Sequence, residues 1–132
     1  PSANAPANFD MLRSREDAAV ILHRAGVQFA ISTFSTHNVR KLRQWAGNAV
    51  RAGLPHQTAL SAVTRMPAKL LGLDHRGRIA PGQVANLVVW SGDPFEFKST
   101  VRHVFVQGKS RTKTNRQRAR FQRYRKLGPS LQ

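Results

Sequence analysis

The sequence has 132 residues, 40% of them hydrophobic, which suits one domain with an apolar core and no more. It contains 22 Lys and Arg against 6 Asp and Glu, for a formal net charge of +16, and no cysteine. The absence of cysteine excludes disulfides, thiolate metal sites and thiol nucleophiles, and it is typical of the cytoplasm or another reducing compartment. No apolar run approaches the ~20 residues of a membrane-spanning helix, so we expect no transmembrane segment.

The first part of the chain predicts a helix followed by a strand. Residues 1–8 are small and polar with two prolines, and we assign residues 1–13 to an N-terminal arm. Ser14 and Asp17 have capping-box spacing, and the apolar residues that follow recur at helical intervals, which predicts a helix over 15–24 that Gly26 ends. The apolar residues 27–33 then predict a short buried strand.

Further helices follow the polar residues 34–38. The apolar positions of residues 39–52 predict a second helix, which Gly53 ends. Pro55 is suited to be the first residue of a third helix, with Ala59, Leu60 and Val63 facing inward. Residues 66–73 predict one or two more helical turns, ending near Gly72.

The pattern changes after residue 75, where two turn sequences separate two β-like runs. These runs are residues 85–90 and 101–106, and Gln107-Gly108 closes the second. Asp93, before a proline, is a turn residue by this interpretation and not a base. The last two strands are expected to pair with each other, whereas the strand over 27–33 has no partner in the sequence. We therefore expect the chain to be incomplete as a stand-alone fold.

Positive charge is concentrated in residues 109–132, which contain nine Lys and Arg and no acidic residue. Such a run cannot pack on its own, and it needs phosphates, acidic side chains or water. As a helix, this tail would be a solvated element docked by its thin apolar edge, an RNA- or phosphate-binding extension, or a membrane-surface helix. The residues expected to bind nucleic acid or an acidic protein are Arg116, Arg118, Arg120, Arg123, Arg125 and Lys126.

Several consecutive motifs resemble the C-terminal end of the metal-dependent amidohydrolase superfamily, and most of all its imidazolonepropionase-like branch. Residues 52–72 are similar to the family helix that ends "T.nPAk.lGl", and residues 77–94 to "G.i.pGk.ADLvv.dGdP". Residues 101–109 match the strand that ends "v.v.Gk". Upstream, residues 25–33 resemble the last barrel strand and residues 37–50 the helix after it. The tail RQRARFQRYRKL, residues 116–127, resembles the arginine-rich final segment of some members, so the resemblance covers about residues 25–126.

This resemblance implies an α/β fold made of the last βα units of a (β/α)8 barrel plus the C-terminal strands of the small composite β-sandwich. Residues 14–75 would form the barrel units, 76–108 the sandwich strands and 109–132 a basic C-terminal helix or tail. A complete barrel takes about 250 residues. An N-terminal amidohydrolase segment or another subunit is therefore implied as the partner that completes the barrel and the sandwich.

The resemblance also implies a chemistry whose residues are missing from this sequence. The family holds zinc or another divalent metal through an HxH pair and later histidines, and it uses an Asp after the last barrel strand as the base. The corresponding position here is Phe34, which neither coordinates a cation nor accepts a proton. His37 is a weak candidate nearby, because a zinc site needs three protein ligands. The other histidines are dispersed, which favours surface or packing roles: His23, His56, His75 and His103.

Two functions follow from this sequence. In the first, the chain is the C-terminal segment of an amidohydrolase that acts on cyclic amide or peptide-like C–N bonds, is not competent alone, and binds no metal by itself. In the second, a degenerate, non-catalytic amidohydrolase remnant serves as a basic structural or RNA-binding subunit of a larger assembly. The net charge and Phe34 favour the second, whereas the family pattern favours the first.

Overall fold

The structure, a computed structural model, describes residues 15–111 and 116–125. Within them a helical part is followed by an antiparallel sheet of three strands, so the described chain is mixed α/β. The helices are α1 (Ala18–Arg24), α2 (Leu42–Arg51, preceded by a 3-10 helix over Thr36–Lys41), α3 (His56–Val63), α4 (Arg65–Leu70) and α5 (Arg116–Arg125). The strands are β1 (Leu87–Trp90), β2 (Val101–Val106) and β3 (Lys109–Arg111).

Helix α1 starts three residues later than the sequence predicts. Asp17 occupies the N-cap position but makes no capping hydrogen bond from its side chain. Its carboxylate instead accepts two hydrogen bonds of 2.8 Å from Arg15, and that ion pair holds the pKa of Asp17 below its usual value. Ser14, the other half of the expected capping box, lies outside the described residues.

Three helices end with the same hydrogen-bond pattern. At the end of α2, the amide of Gly53 donates to the carbonyl of Val50 and the amide of Leu54 donates to that of Ala49, both at 2.9 Å. This is the Schellman arrangement, which requires a left-handed residue at its centre, and Gly53 has φ +108°. Helices α1 and α4 end in the same way at Gly26 and Gly72, as the sequence predicts.

The prediction of a strand over residues 27–33 is wrong for the described chain. These residues are not assigned to a strand and pair with none of the three strands of the sheet. Two of their apolar side chains, those of Phe29 and Ile31, pack against the core, whereas Val27 is exposed. The amide of Ile31 donates to the carbonyl of Ala62 in α3 at 3.0 Å. A β-ladder needs a second strand, and this segment meets a helix instead.

The core lies where α1, α2 and α3 meet. It is built from small residues around one large one: Leu54 is 2% exposed, and Val20, Ala49 and Ala59 surround it. Alanine at these contacts lets the helix backbones approach closely. The loop after β1 also approaches the backbone of α2 closely, at Gly47. A Cβ at this position would lie 3.0 Å from the carbonyl oxygen of Phe95.

The sheet has the order β1-β2-β3 with antiparallel neighbours. The predicted pairing of the last two strands is confirmed, with Leu87 opposite Phe105. Residues 109–111, which the charge distribution assigns to the basic tail, form β3 instead. The cause is a tight turn at Gln107 and Gly108, whose φ angles of +53° and +76° suit a two-residue hairpin.

Candidate functional site

Phe34 occupies the position at which the family resemblance implies a catalytic Asp. It follows the 27–33 segment, its side chain is 96% exposed, and its φ is +48°. A left-handed conformation is uncommon for a bulky residue. Short local bonds accompany it, since the Phe34 amide donates to Ser32 Oγ at 3.1 Å and Thr33 Oγ1 donates to the Ser35 carbonyl at 3.0 Å. The turn therefore presents a phenyl ring, which carries no proton-transfer chemistry.

His37 does not compensate for that substitution. It lies in the 3-10 helix and is exposed. No group of three or more His, Cys, Asp or Glu side chains is close enough to hold a metal ion within residues 15–111 and 116–125. Because zinc needs at least three protein ligands, the described side chains do not fit a resident metal.

A histidine–aspartate pair joins two elements that are far apart in sequence. His56, the first residue of α3, lies with its Nε2 2.8 Å from Oδ2 of Asp93 in the loop after β1. The other carboxylate oxygen accepts the backbone amide of Phe95 at 2.9 Å, which is the turn role predicted for Asp93. The Phe95 amide and, after it, the His56 imidazole hold the pKa of Asp93 below its ordinary value. The ring centroids of His56 and Phe95 are 5.0 Å apart.

This pair borders an open groove of about 480 Å³ between α2 and the loop that follows β1. The residues that line it are mostly polar or aromatic and include no Ser, Thr or Cys. A histidine oriented by a carboxylate needs such a nucleophile, or a substrate proton, to take part in acyl transfer. The pair therefore serves to hold the loop against the start of α3. The other lining residues are Gln44, Gly47, Asn48, Val50, Arg51, Glu96 and Phe97.

Arg43 makes a second connection between the helices and the sheet. From α2 its Nη1 donates to the Ser99 carbonyl at 2.9 Å and, more weakly, to the Pro94 carbonyl at 3.5 Å. Its guanidinium carbon lies 5.1 Å from the ring centroid of Trp90 in β1. Sequence reasoning missed both connections. Their partners are 37 to 56 residues apart, so no local pattern reveals them.

The basic residues of the predicted binding tail fall mainly on α5. The side chains of residues 117–125 are all exposed, including those of Arg118, Arg120, Arg123 and Arg125. Arg116 is the first residue of the helix, and Lys126 lies outside the described residues. None of the helices in the described chain is both long and apolar enough to cross a membrane. The role of these arginines in binding stays a prediction.

Comparisons with known proteins agree on one family. The sequence profile of the amidohydrolase family matches residues 16–111. The curated protein amidohydrolase tasK of Hapsidospora irregularis is 38% identical over 64 residues, which are 48% of this chain and 6% of tasK. The crystal structure of an amidohydrolase from Thermotoga maritima MSB8 superposes with a TM-score of 0.76 at 31% identity, over 83% of this chain and 29% of that one. The chain thus corresponds to a minor part of both relatives.

Proposed function

The chain belongs to the amidohydrolase family, and from that premise we propose that it supplies the C-terminal part of a metal-dependent hydrolase. Residues 14–75 would contribute the last βα units of a (β/α)8 barrel, and residues 76–108 the C-terminal strands of the small sandwich. The observation that carries this proposal is that 83% of the chain superposes on only 29% of the Thermotoga maritima amidohydrolase chain.

Apolar side chains left in water support the same proposal. In the described chain Ile79 is 87% exposed, Phe97 79%, Leu71 73% and Leu70 67%. Residues 27–33 likewise lack a neighbouring strand among the described residues. Exposed apolar side chains mark an interaction surface where they form a contiguous patch, and Leu70 and Leu71 are adjacent in sequence. A further segment of polypeptide packed against these residues would bury them. A strand of that segment would pair with residues 27–33.

The division of labour follows from the residues present. Zinc or another divalent cation would be held by residues of the completing segment, because the described side chains do not supply a ligand set. When bound, such a cation lowers the pKa of a coordinated water and so provides the nucleophile of the family's hydrolysis. This chain would shape the wall of the site at the end of its 27–33 segment. The reaction class is hydrolysis of a cyclic amide or peptide-like C–N bond, for which this chain alone is not competent.

One observation favours a second candidate, a non-catalytic family remnant that serves as a structural subunit. At the position where the resemblance places the catalytic Asp, the structure presents the exposed ring of Phe34. A positioned general base contributes roughly 10²–10⁴ in rate, so its loss would leave little activity. The assembly would then keep the fold of a hydrolase without its turnover.

One purification separates these functions. The chain is tagged and isolated with whatever polypeptide accompanies it, and metal content and hydrolysis of a panel of cyclic amides and dipeptides are measured. For an active assembly we expect a stoichiometric divalent metal, measurable turnover, and none of either in the isolated 132-residue chain. Turnover by the isolated chain would refute the proposal.

A pair of variants tests the wall position directly. In a metal-containing assembly, Phe34→Asp should raise the hydrolysis rate tenfold or more, because it restores a carboxylate where the family base stands. Phe121→Asp adds the same charge at an exposed phenylalanine of α5 and should give no increase. An assembly with no metal, inactive with either variant, would establish the non-catalytic remnant instead.

A further inference from the structure

Helix α5 has an unusual composition for a surface helix. Its ten residues, RQRARFQRYR, contain five arginines, no lysine and no acidic residue. The last acidic side chain of the sequence is Glu96, well before the helix begins at Arg116. An ordinary solvated helix mixes both signs along its faces. The one-signed composition of α5 is therefore typical of a helix that binds an anion.

The arginines and the aromatic residues of α5 are distributed around the helix in a definite order. At 100° per residue, Arg120 and Arg123 share one side of α5, and Arg125 lies on the opposite side. Phe121 and Tyr124 fall between the two sides, three residues apart, and each is 64% exposed. The three-residue step separates the two rings by about 4.5 Å along the axis. An exposed aromatic strip therefore runs between two cationic sides.

We propose that α5 binds single-stranded nucleic acid. Its two aromatic rings would stack on neighbouring bases, and the arginines on both sides would contact backbone phosphates. Stacking on aromatic side chains next to a basic track is how proteins hold single strands without reading sequence. Arginine suits phosphate better than lysine does, because its planar fork donates two parallel hydrogen bonds.

The same geometry argues against the other anionic partners. A membrane-surface helix needs one broad apolar face, whereas α5 presents a strip of two rings with arginine on both sides. An acidic peptide would be held by the arginines alone and gives no role to the exposed rings. Duplex nucleic acid hides the faces of its bases, so the rings would have nothing to stack on. The proposal is independent of whether the assembled protein is a hydrolase.

Fluorescence anisotropy with the full chain tests the proposal, with a labelled 12-nucleotide oligo(U) RNA and the corresponding oligo(dT) as probes. The triple variant Arg120→Gln, Arg123→Gln, Arg125→Gln should reduce the magnitude of the slope of log K against log [salt] by about 2, since each phosphate contact contributes roughly 0.7 on a single strand. The matched control removes three exposed charges from the body, Arg40→Gln, Arg78→Gln and Arg102→Gln. It should leave the slope nearly unchanged.

The double variant Phe121→Ala, Tyr124→Ala isolates stacking, because it removes no charge. We expect it to weaken binding by about 30-fold or more, from two rings at the lower end of the stacking range, with an unchanged salt slope. Far-UV circular dichroism of each variant checks that the body remains folded. Equal losses in the two charge variants, or full affinity without the rings, would overturn the proposal. Tighter α5-dependent binding to polyglutamate, to an RNA duplex or to phosphatidylserine vesicles would overturn it too.

Discussion

Truncation of Arg43 tests whether the helices and the sheet form one cooperative unit. The guanidinium of Arg43 reaches from α2 to the Ser99 carbonyl at 2.9 Å and faces the ring of Trp90. Ser99 is 7% exposed, so water does not readily replace the lost donor. Arg43→Ala removes both interactions and leaves a buried carbonyl without this partner.

The magnitude follows from the two interactions. A hydrogen bond from a charged donor contributes about 1.5–3 kcal/mol, and a partly exposed cation–π contact about 0.5–1 kcal/mol. These contributions share one side chain and do not add fully. We expect Arg43→Ala to lower the free energy of unfolding by about 2–3 kcal/mol. In a double-mutant cycle with Trp90→Leu, the coupling energy should be about 0.5–1 kcal/mol.

Urea denaturation followed by far-UV circular dichroism measures both quantities. Arg40→Ala is the matched control, because that arginine lies in the 3-10 helix just before α2 and its side chain is exposed. Its effect should stay within about 0.5 kcal/mol. Equal destabilisation by the two substitutions would show that Arg43 does not join the helices to the sheet. A coupling energy of zero would show that its contact with Trp90 contributes nothing.

Three further predictions concern the core, a tight turn and pH. Leu54→Ala should cost about 2–4 kcal/mol in the same denaturation assay, whereas Leu70→Ala, at a 67% exposed site, should cost under about 0.5 kcal/mol. Gly77→Ala should lower the free energy of unfolding by more than the ~1 kcal/mol expected for Gly82→Ala. Both glycines have positive φ, but of the two only position 77 would bring a Cβ against backbone, 2.7 Å from the Thr64 carbonyl oxygen. The pKa of Asp93 is lowered by its two hydrogen-bond donors, so the stability it provides is present above pH ~4 and is lost as pH falls through its folded pKa. Asp93→Asn should make the free energy of unfolding depend less on pH across that range. The change should be under about 1 kcal/mol, because the carboxylate is exposed. An unchanged dependence of stability on pH would contradict this.

Local signals in the sequence were sufficient for the C-terminal ends of three helices. Each of α1, α2 and α4 ends at a glycine that the sequence marks, because the Schellman hydrogen bonds depend on residues within one turn. The pairing of β1 with β2 was predictable for a similar reason, since turn residues separate two apolar runs. The strand over 27–33 was not realised because its ladder depends on a neighbour that the described chain does not provide.

The candidate site was less predictable, because its contacts join distant residues. Asp93 was correctly interpreted as a turn residue, but its partner His56 precedes it by 37 positions. The sequence around Arg43 likewise gives no sign of its contact with Trp90. Phe34 was recognised only through the family resemblance, since a phenylalanine carries no chemical signature of what it replaces.

The built-in stops of α1, α2 and α4 have a consequence for the order of folding. Helices closed by contacts within one turn form on the microsecond scale, long before strands that must find remote partners. The helical part of this chain would therefore assemble early, when residues 27–33 lie beside α3 and have no partner strand. During that interval they are exposed to mispairing with another copy, so synthesis alongside the completing segment should raise the soluble yield.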